Sequence, residues 1–377
     1  MLPPSLSQSY SVCLALCPLR PSQGKSISKR TGLIDSMGQQ QSGFVVEIAS
    51  PRLGRFQALP QKDPDDAEGT FHPSEQPSEW RIITNPCSEM FGTERLRALI
   101  HRLYHHRRLF NAEDAPDILL PLLTVVSNAT AHQSNQVIMR ETRITHRISE
   151  MVCSGWSNAK GGRVMLLQCL ANMAVAKENH EILSPCISKV IDRLSSTDET
   201  EVSVAMQALT NLSLDIQTNQ VEMYSRCIPR VLGRIWVRGE PSLDALRLLV
   251  NLSCCPDLVP HILGAKAVNG ILCVLDTDKT EVLLRAVTWL LCMSSAVDAL
   301  HISYTKLTPF IADPFGNVSH TMYHCIFGHR ARQELEKRMQ CLTKHPQLEI
   351  SKKSSRLLEI LSQIPLPPTA GYHLNRL

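Results

Sequence analysis

The sequence predicts an all-α repeat structure that follows a disordered N-terminal arm. Three observations support this prediction: the length, a series of similar apolar helical segments about 40 residues apart, and a change of composition near residue 85. A chain of 377 residues exceeds the ~250 to 300 residues at which a single compact core usually stops growing. It therefore forms either several domains or an elongated repeat array.

Residues 1–85 differ in composition from the rest of the chain. They hold nine of the 23 prolines, many Ser, Gln and Gly residues, and no sustained apolar periodicity. Because such a segment cannot bury enough apolar surface to offset the entropy of ordering, we expect a disordered arm. Four basic residues precede the first acidic residue, Asp35, which is a feature of organelle presequences. The prolines oppose the amphipathic helix that a presequence needs, so a presequence is the minor alternative.

The composition of the whole chain argues against several classes of protein. The formal net charge of +4 is too small to indicate nucleic acid or an anionic membrane as a partner. The 13 cysteines are an odd number and lie mostly among aliphatic residues, which is typical of a reducing compartment. Prolines or charges interrupt the longest apolar runs, so we expect no membrane-spanning helix.

Five apolar segments between residues 120 and 294 align without gaps. Each has a reference residue near its end, and successive reference residues are 44, 39, 40 and 41 positions apart. Apolar side chains stand six, five, three and two positions before every reference residue and one position after it. This spacing predicts helices whose broad apolar face contacts both neighbours in a stack. The reference residues are Asn128, Asn172, Asn211, Asn251 and Cys292.

The stretches between these segments, such as 180–196 and 221–237, contain further helical patterns, so each unit holds two or three helices. Units of ~40 to 47 residues are the period of armadillo and HEAT arrays, in which no unit buries its own apolar face. We predict an array over residues 86–361, which a proline-containing tail at 362–377 follows.

The segment ends ALTNLS and LLVNLS share the pattern L-x-N-L-S, which resembles the armadillo repeat. Four further stretches are SLDALRLLVNLSCCPDLVPHIL, EVLLRAVTWLLCM, HTMYHCIFGHRARQELEKRMQCLTKHP and KKSSRLLEIL. Because of these stretches, residues 120 to 361 resemble the armadillo-repeat-containing X-linked proteins, their autosomal relatives and the receptor-associated sorting proteins. The resemblance implies a right-handed superhelix of armadillo repeats and a non-enzymatic adaptor. Several family members act at the cytosolic face of mitochondria, where they influence organelle transport and distribution.

In such a superhelix the third helix of each unit lines the concave surface, and the residue one turn before the reference residue shares its direction. Each asparagine amide offers a donor and an acceptor, which can bind the backbone of an extended peptide. We therefore predict a partner-binding groove. The alternative is that each amide satisfies a neighbouring backbone group inside the stack. The predicted groove residues are Thr124, Asn128, Gln168, Asn172, Gln207, Asn211, Arg247, Asn251 and Thr288.

Residues 95–110 predict an amphipathic helix with a basic patch of Arg97, His101, His105 and Arg108 on its outer face. Such a patch can bind acidic lipids or protein, but the first helix of an array is more often a solvated cap. Nuclear-localisation-signal receptors of this fold carry tryptophan one turn before the asparagine. No groove position here holds tryptophan, which argues against an import receptor.

His320, His324, Cys325 and His329 are possible zinc ligands. We predict no metal site, because Cys325 would point about 100 degrees away from His324 on a helix and the usual zinc-ligand spacings are missing. The sequence also has no glycine-rich phosphate loop, nucleophile elbow or dinucleotide fingerprint. We therefore predict neither catalysis nor a cofactor.

The sequence favours a protein-interaction adaptor or scaffold that binds a protein partner, such as an extended peptide segment, and no small-molecule substrate. The resemblance implies a role in mitochondrial transport and distribution or in receptor sorting. Since the sequence shows no apolar N-terminal anchor, we expect a cytoplasmic protein with peripheral membrane contact at most. One alternative is a regulator of a small GTP-binding protein. A weaker one is an acidic-lipid or nucleic-acid binder through the basic patch, and its binding would fall steeply with salt.

Overall fold

The computed structural model describes residues 116–131, 133–154, 160–311 and 320–366, together with Ala98. These residues form α-helices, short 3-10 helices and one two-stranded hairpin, and they fall into two compact units that are divided between Leu212 and Ser213. The α-helices are α1 (Pro116–Thr130), α2 (Gln133–Glu141), α3 (Ile144–Ser154), α4 (Lys160–Met173), α5 (His180–Leu183), α6 (Ile187–Arg193), α7 (Glu199–Leu212), α8 (Val221–Ser225), α9 (Ile228–Leu232), α10 (Leu243–Ser253), α11 (Val259–Gly264), α12 (Thr280–Ala299), α13 (Met322–Phe327), α14 (His329–Leu342) and α15 (Leu348–Gln363).

The N-terminal unit, residues 116–212, is a stack of three helices that each carry a reference residue. The central helix α4 packs against α1 on one side and against α7 on the other. Its Leu166 and Leu170 are fully buried, as are Leu123 on α1 and Leu209 on α7. These are the apolar positions that the repeat pattern places on the broad face, so this part of the sequence prediction is confirmed.

A buried ion cluster holds three helices of the N-terminal unit together. The side chain of Glu201 on α7 is only 1% exposed, and its Oε1 lies 3.1 Å from Arg163 Nε of α4 and 3.7 Å from Arg193 Nη1 of α6. The hydroxyl of Ser196 donates to the other carboxylate oxygen at 2.7 Å. A buried carboxylate of this kind is stable only because several donors surround it.

The C-terminal unit, residues 213–366, is built around α12. This helix packs against α10 and α15, and α14 packs against α15. By length and composition α12 could cross a membrane, as could α10 together with the bent segment Pro256–Gly264, whereas the sequence analysis expected no such helix. Since 78% of the apolar 18-residue window of α12 is buried inside the fold, α12 is the core helix of this unit.

One segment departs from the all-helical prediction. Strand β1 (Trp236–Val237) pairs antiparallel with β2 (Glu240–Pro241), where the pattern of 221–237 predicted helix. The two turn residues, Arg238 and Gly239, have positive φ values of 54° and 84°, as the tight turn of a hairpin requires. Arginine is unusual at such a position, so the residue types did not indicate a hairpin here.

The described helices end with α15 at Gln363, close to the predicted end of the array at residue 361. The predicted arm at 1–85 and the start of the array at residue 86 lie outside the described residues, as does most of the predicted tail.

We expect Leu209→Ala and Leu249→Ala each to lower the free energy of unfolding by about 2 to 5 kcal/mol, since both side chains are fully buried on the broad apolar face. The matched control is Leu348→Ala, whose side chain is 62% exposed, and it should change stability by less than ~0.5 kcal/mol. Urea unfolding followed by circular dichroism measures all three. Equal effects of Leu209→Ala and Leu348→Ala would contradict the assignment of the apolar face.

Candidate functional site

Two reference asparagines of the N-terminal unit, Asn172 and Asn211, donate hydrogen bonds to the preceding helix of the stack. Asn172 Nδ2 lies 3.1 Å from the Ser127 carbonyl oxygen and 3.2 Å from Thr130 Oγ1. Asn211 Nδ2 lies 2.8 Å from the Ala171 carbonyl oxygen. Both carbonyls belong to the last turn of their helix, where the regular intrahelical donors run out. Each asparagine therefore helps to cap the helix of the unit before it.

The same arrangement occurs inside the C-terminal unit. Asn251 Nδ2 lies 3.3 Å from the hydroxyl oxygen of Ser213. Ser213 stands two positions after the reference Asn211, as Thr130 stands two positions after Asn128. The hydroxyl two positions after a reference asparagine thus accepts a hydrogen bond from the asparagine of the next repeat in both compact units.

The exposure that we predicted for the groove residues is wrong for four of the nine. Gln168, Asn172, Asn251 and Thr288 are buried, with at most 6% of their surface exposed. Gln168 Nε2 donates to Asn172 Oδ1 at 3.2 Å, and Thr288 Oγ1 donates to the Leu284 carbonyl at 2.7 Å. The physical reason is that the reference position contacts the preceding helix, so these polar groups are used inside the stack. For Asn172 the structure matches the alternative stated above, because its amide donates to the Ser127 carbonyl of the neighbouring helix.

The other five groove residues are Thr124, Asn128, Gln207, Asn211 and Arg247, and all are half-buried. The Thr124 hydroxyl donates to the Leu120 carbonyl at 2.8 Å, and Gln207 Nε2 lies 3.4 Å from Ser203 Oγ. Within the described residues, the Asn128 amide has no hydrogen-bond partner. We call Thr124, Asn128, Gln207 and Asn211, which all lie in the N-terminal unit, the polar face.

Arg247 belongs to the C-terminal unit and is paired with an acid. Its Nη2 donates to Glu281 Oε1 at the start of α12, and both side chains are partly exposed. An exposed pair of this kind contributes little to stability. It does neutralise the one charge among the nine predicted groove residues.

Four amide and imidazole groups that the sequence analysis missed complete the caps in the N-terminal unit. Asn135, Gln136, Asn179 and His180 each contact the carbonyl oxygen six residues earlier, at 3.1, 3.1, 2.7 and 2.8 Å. Asn135 and Asn179 both stand seven positions after a reference asparagine, and Gln136 and His180 stand eight positions after it. Polar residues that recur seven and eight positions after the reference asparagines were the sequence signal that could have revealed these caps.

The possible zinc ligands do not converge. Within the part of the chain that the structure describes, no three His, Cys, Asp or Glu side chains form a group that could hold a metal ion. The ring of His324 packs edge-on against Tyr304, with ring centres 5.0 Å apart, and burial lowers the pKa of His324. His320 and His329 are exposed, and Cys325 is half-buried. The basic patch of Arg97, His101, His105 and Arg108 lies outside the described residues.

A family profile described as Armadillo-like matches residues 106–306, which is more than half of the chain. The chain belongs to the armadillo-like family. Among solved structures, an engineered protein superimposes with a TM-score of 0.51 at 15% identity, over 76% of this chain and 64% of that chain. A designed armadillo repeat protein gives a TM-score of 0.49 at 15% identity, over 71% of this chain and 99% of that chain. A comparison with curated proteins finds no match.

The all-α armadillo fold that the sequence predicted is thereby confirmed. Armadillo folds are generally non-enzymatic and typical of protein-binding scaffolds. In this armadillo-like chain Asn172 and Asn211 donate hydrogen bonds to the preceding helix, and the residues of the polar face are half-buried.

We expect Asn172→Ala to lower the free energy of unfolding by about 1 to 3 kcal/mol, because the change leaves buried partners of its amide unsatisfied. Asn128→Ala is the matched control at the same repeat position, and it should cost less than ~0.5 kcal/mol. Thermal and urea unfolding of the two variants test this difference. Equal losses would show that the contacts of Asn172 do not stabilise the stack.

Proposed function

We propose that this armadillo-like chain is a non-enzymatic adaptor that binds a protein partner through the polar face of its N-terminal unit. The observation that carries the proposal is the half-buried, partly accessible position of Asn128 and Gln207 on helices that also carry the buried apolar positions. A side-chain amide has two donors and an acceptor, so it can pair with both polar groups of a peptide backbone. An extended segment of a partner is therefore the ligand that the polar face suits.

The amides of Gln207 and Asn211 keep donor or acceptor groups that a partner could use. Gln207 Nε2 has only a long contact of 3.4 Å with Ser203. Asn211 uses its Nδ2 on the Ala171 carbonyl, which leaves Oδ1 as an acceptor. Such amides can bind the backbone of an extended segment.

The likeness to the X-linked armadillo proteins, their autosomal relatives and the receptor-associated sorting proteins supports a finer proposal. On this likeness we propose that the chain acts in the cytoplasm and at the cytosolic face of mitochondria, in organelle transport and distribution or in receptor sorting. The motifs that support this proposal are those of the stretches around 242–263, 281–293, 320–346 and 352–361.

The proposed binding is tested with the double variant Asn128→Ala/Gln207→Ala. The full chain first captures partners from cells, and a retained protein is then purified so that its Kd can be measured. We expect the double variant to raise this Kd about fivefold or more, with an unchanged unfolding midpoint. Lys189→Ala, which alters an exposed residue of α6, is the control and should leave the Kd unchanged. Wild-type affinity of the double variant would overturn the assignment of the polar face.

The proposed location is tested by imaging the full chain beside a chain that lacks residues 1–85. Mitochondrial signal from both would show that the repeat array docks there, whereas a diffuse signal from the shorter chain alone would assign targeting to the arm. A signal confined to the secretory pathway would contradict the proposed compartment.

A further inference from the structure

Two cysteines of the N-terminal unit that do not belong to the polar face lie side by side. Cys153 is in the last turn of α3, and its sulfur is 3.7 Å from the sulfur of Cys186, which ends the 3-10 helix Ser184–Cys186. We propose that these two thiols are a redox-sensitive pair that forms a reversible disulfide when the protein meets a hydroperoxide. The bond would join two consecutive repeat units covalently.

The surroundings of Cys186 orient its sulfur toward α3. Cys186 Sγ lies 3.3 Å from Ser149 Oγ and 3.6 Å from the Ser149 carbonyl oxygen. The Ser149 hydroxyl also donates to the Ile182 carbonyl at 2.8 Å, which holds the two segments together. A disulfide has an S–S length of about 2.05 Å. The two sulfurs, which lie 3.7 Å apart, therefore need to approach by about 1.7 Å to form this bond.

The two thiols differ in access to an oxidant. Cys153 is half-buried, whereas Cys186 is fully buried, and burial raises the pKa of the Cys186 thiol. Since the thiolate is the form that attacks an oxidant, Cys153 reacts first. Cys186 is placed to attack the product, as a resolving cysteine does.

The chemistry balances in two steps. The Cys153 sulfur attacks one oxygen of hydrogen peroxide, the O–O bond breaks, and Cys153 sulfenic acid and one water form. The Cys186 sulfur then attacks the Cys153 sulfur, the S–O bond breaks, and the thiol proton leaves with the hydroxyl group as a second water. Two thiols have lost two electrons, which reduced the peroxide. A soluble dithiol reverses the bond by exchange.

The position of the bond determines its effect on the fold. Cys153 precedes the reference helix α4 and Cys186 follows it, so the disulfide closes a loop around this central helix of the N-terminal unit. Repeat arrays are held by contacts between neighbouring units, and a covalent bond at one such contact constrains both units. The oxidised protein should therefore unfold at a higher temperature than the reduced protein.

Trypsin separates the pair cleanly. Residues 148–160 carry Cys153 as their one cysteine, and residues 178–189 carry Cys186 as theirs. The reduced full-length protein is treated with a slight excess of hydrogen peroxide, blocked with an alkylating agent, digested and analysed by mass spectrometry. We expect a linked pair of these peptides that is about 2 Da lighter than the two thiol peptides together and that disappears with dithiothreitol. The midpoint of thermal unfolding should rise by about 4 to 16 °C on oxidation.

Three variants control the experiment. Cys153→Ser and Cys186→Ser should each abolish the linked peptides and the rise in midpoint, and Cys153→Ser serves if Cys186→Ser does not fold. Cys341→Ser removes an exposed cysteine of α14 and should keep both signals. The proposal is overturned if Cys153 and Cys186 remain alkylated as free thiols while Cys341 is oxidised. Linkage of Cys153 to a cysteine other than Cys186 would overturn it as well.

Discussion

The hydrogen bond between the reference asparagine of one unit and the helix end of the unit before it is the contact on which the stack depends. Leucines on both sides of the asparagine bury the apolar face, but apolar contacts alone do not fix which turn of one helix meets which turn of the next. The Asn172 amide reaches both a carbonyl and a hydroxyl of α1 only in one register. In any other register a buried amide would lose its partners, which costs more than the bond contributes. The polar contact therefore selects the register that the apolar contacts stabilise.

This contact changes toward the C-terminal unit. Asn251 still bonds to a hydroxyl, that of Ser213, but the fifth reference residue is Cys292, which has no amide. The Ser253 hydroxyl that would have accepted from it lies 3.2 Å from Met293 Sδ instead. In the C-terminal unit, helix packing takes the place of the asparagine hydrogen bond. Helix α12 extends to Ala299 and packs against α15. In the same unit, the end of α11 lies very close to the backbone of the 3-10 helix Tyr304–Phe310. A Cβ on Gly264 would lie 2.5 Å from the Phe310 carbonyl oxygen.

The sequence was sufficient to predict the helices, the period and the buried apolar positions, because apolar spacing reports directly which face of a helix is buried. It could not predict the exposure of the asparagines. Their spacing shows on which side of the helix the asparagines lie. Whether that side meets solvent or the neighbouring helix depends on the rotation between successive repeat units. The five aligned segments do not reveal that rotation. The caps by Asn135 and Asn179 were missed because only two units keep them. The hairpin at 236–241 was missed because Arg238 adopts a positive φ that its residue type rarely shows.

The division of polar residues between stacking and exposure has a consequence for recognition. Since Asn172 and Asn251 are used by the fold, the proposed recognition of a partner rests on positions that differ between repeats, such as Thr124 and Gln207 of the polar face. Arg247 is neutralised by Glu281, and in the N-terminal unit Arg163 is paired with the buried Glu201. The half-exposed side chains of the polar face are uncharged hydroxyls and amides. Such groups discriminate by geometry and by hydrogen-bond direction rather than by charge, so binding at this face should depend little on salt.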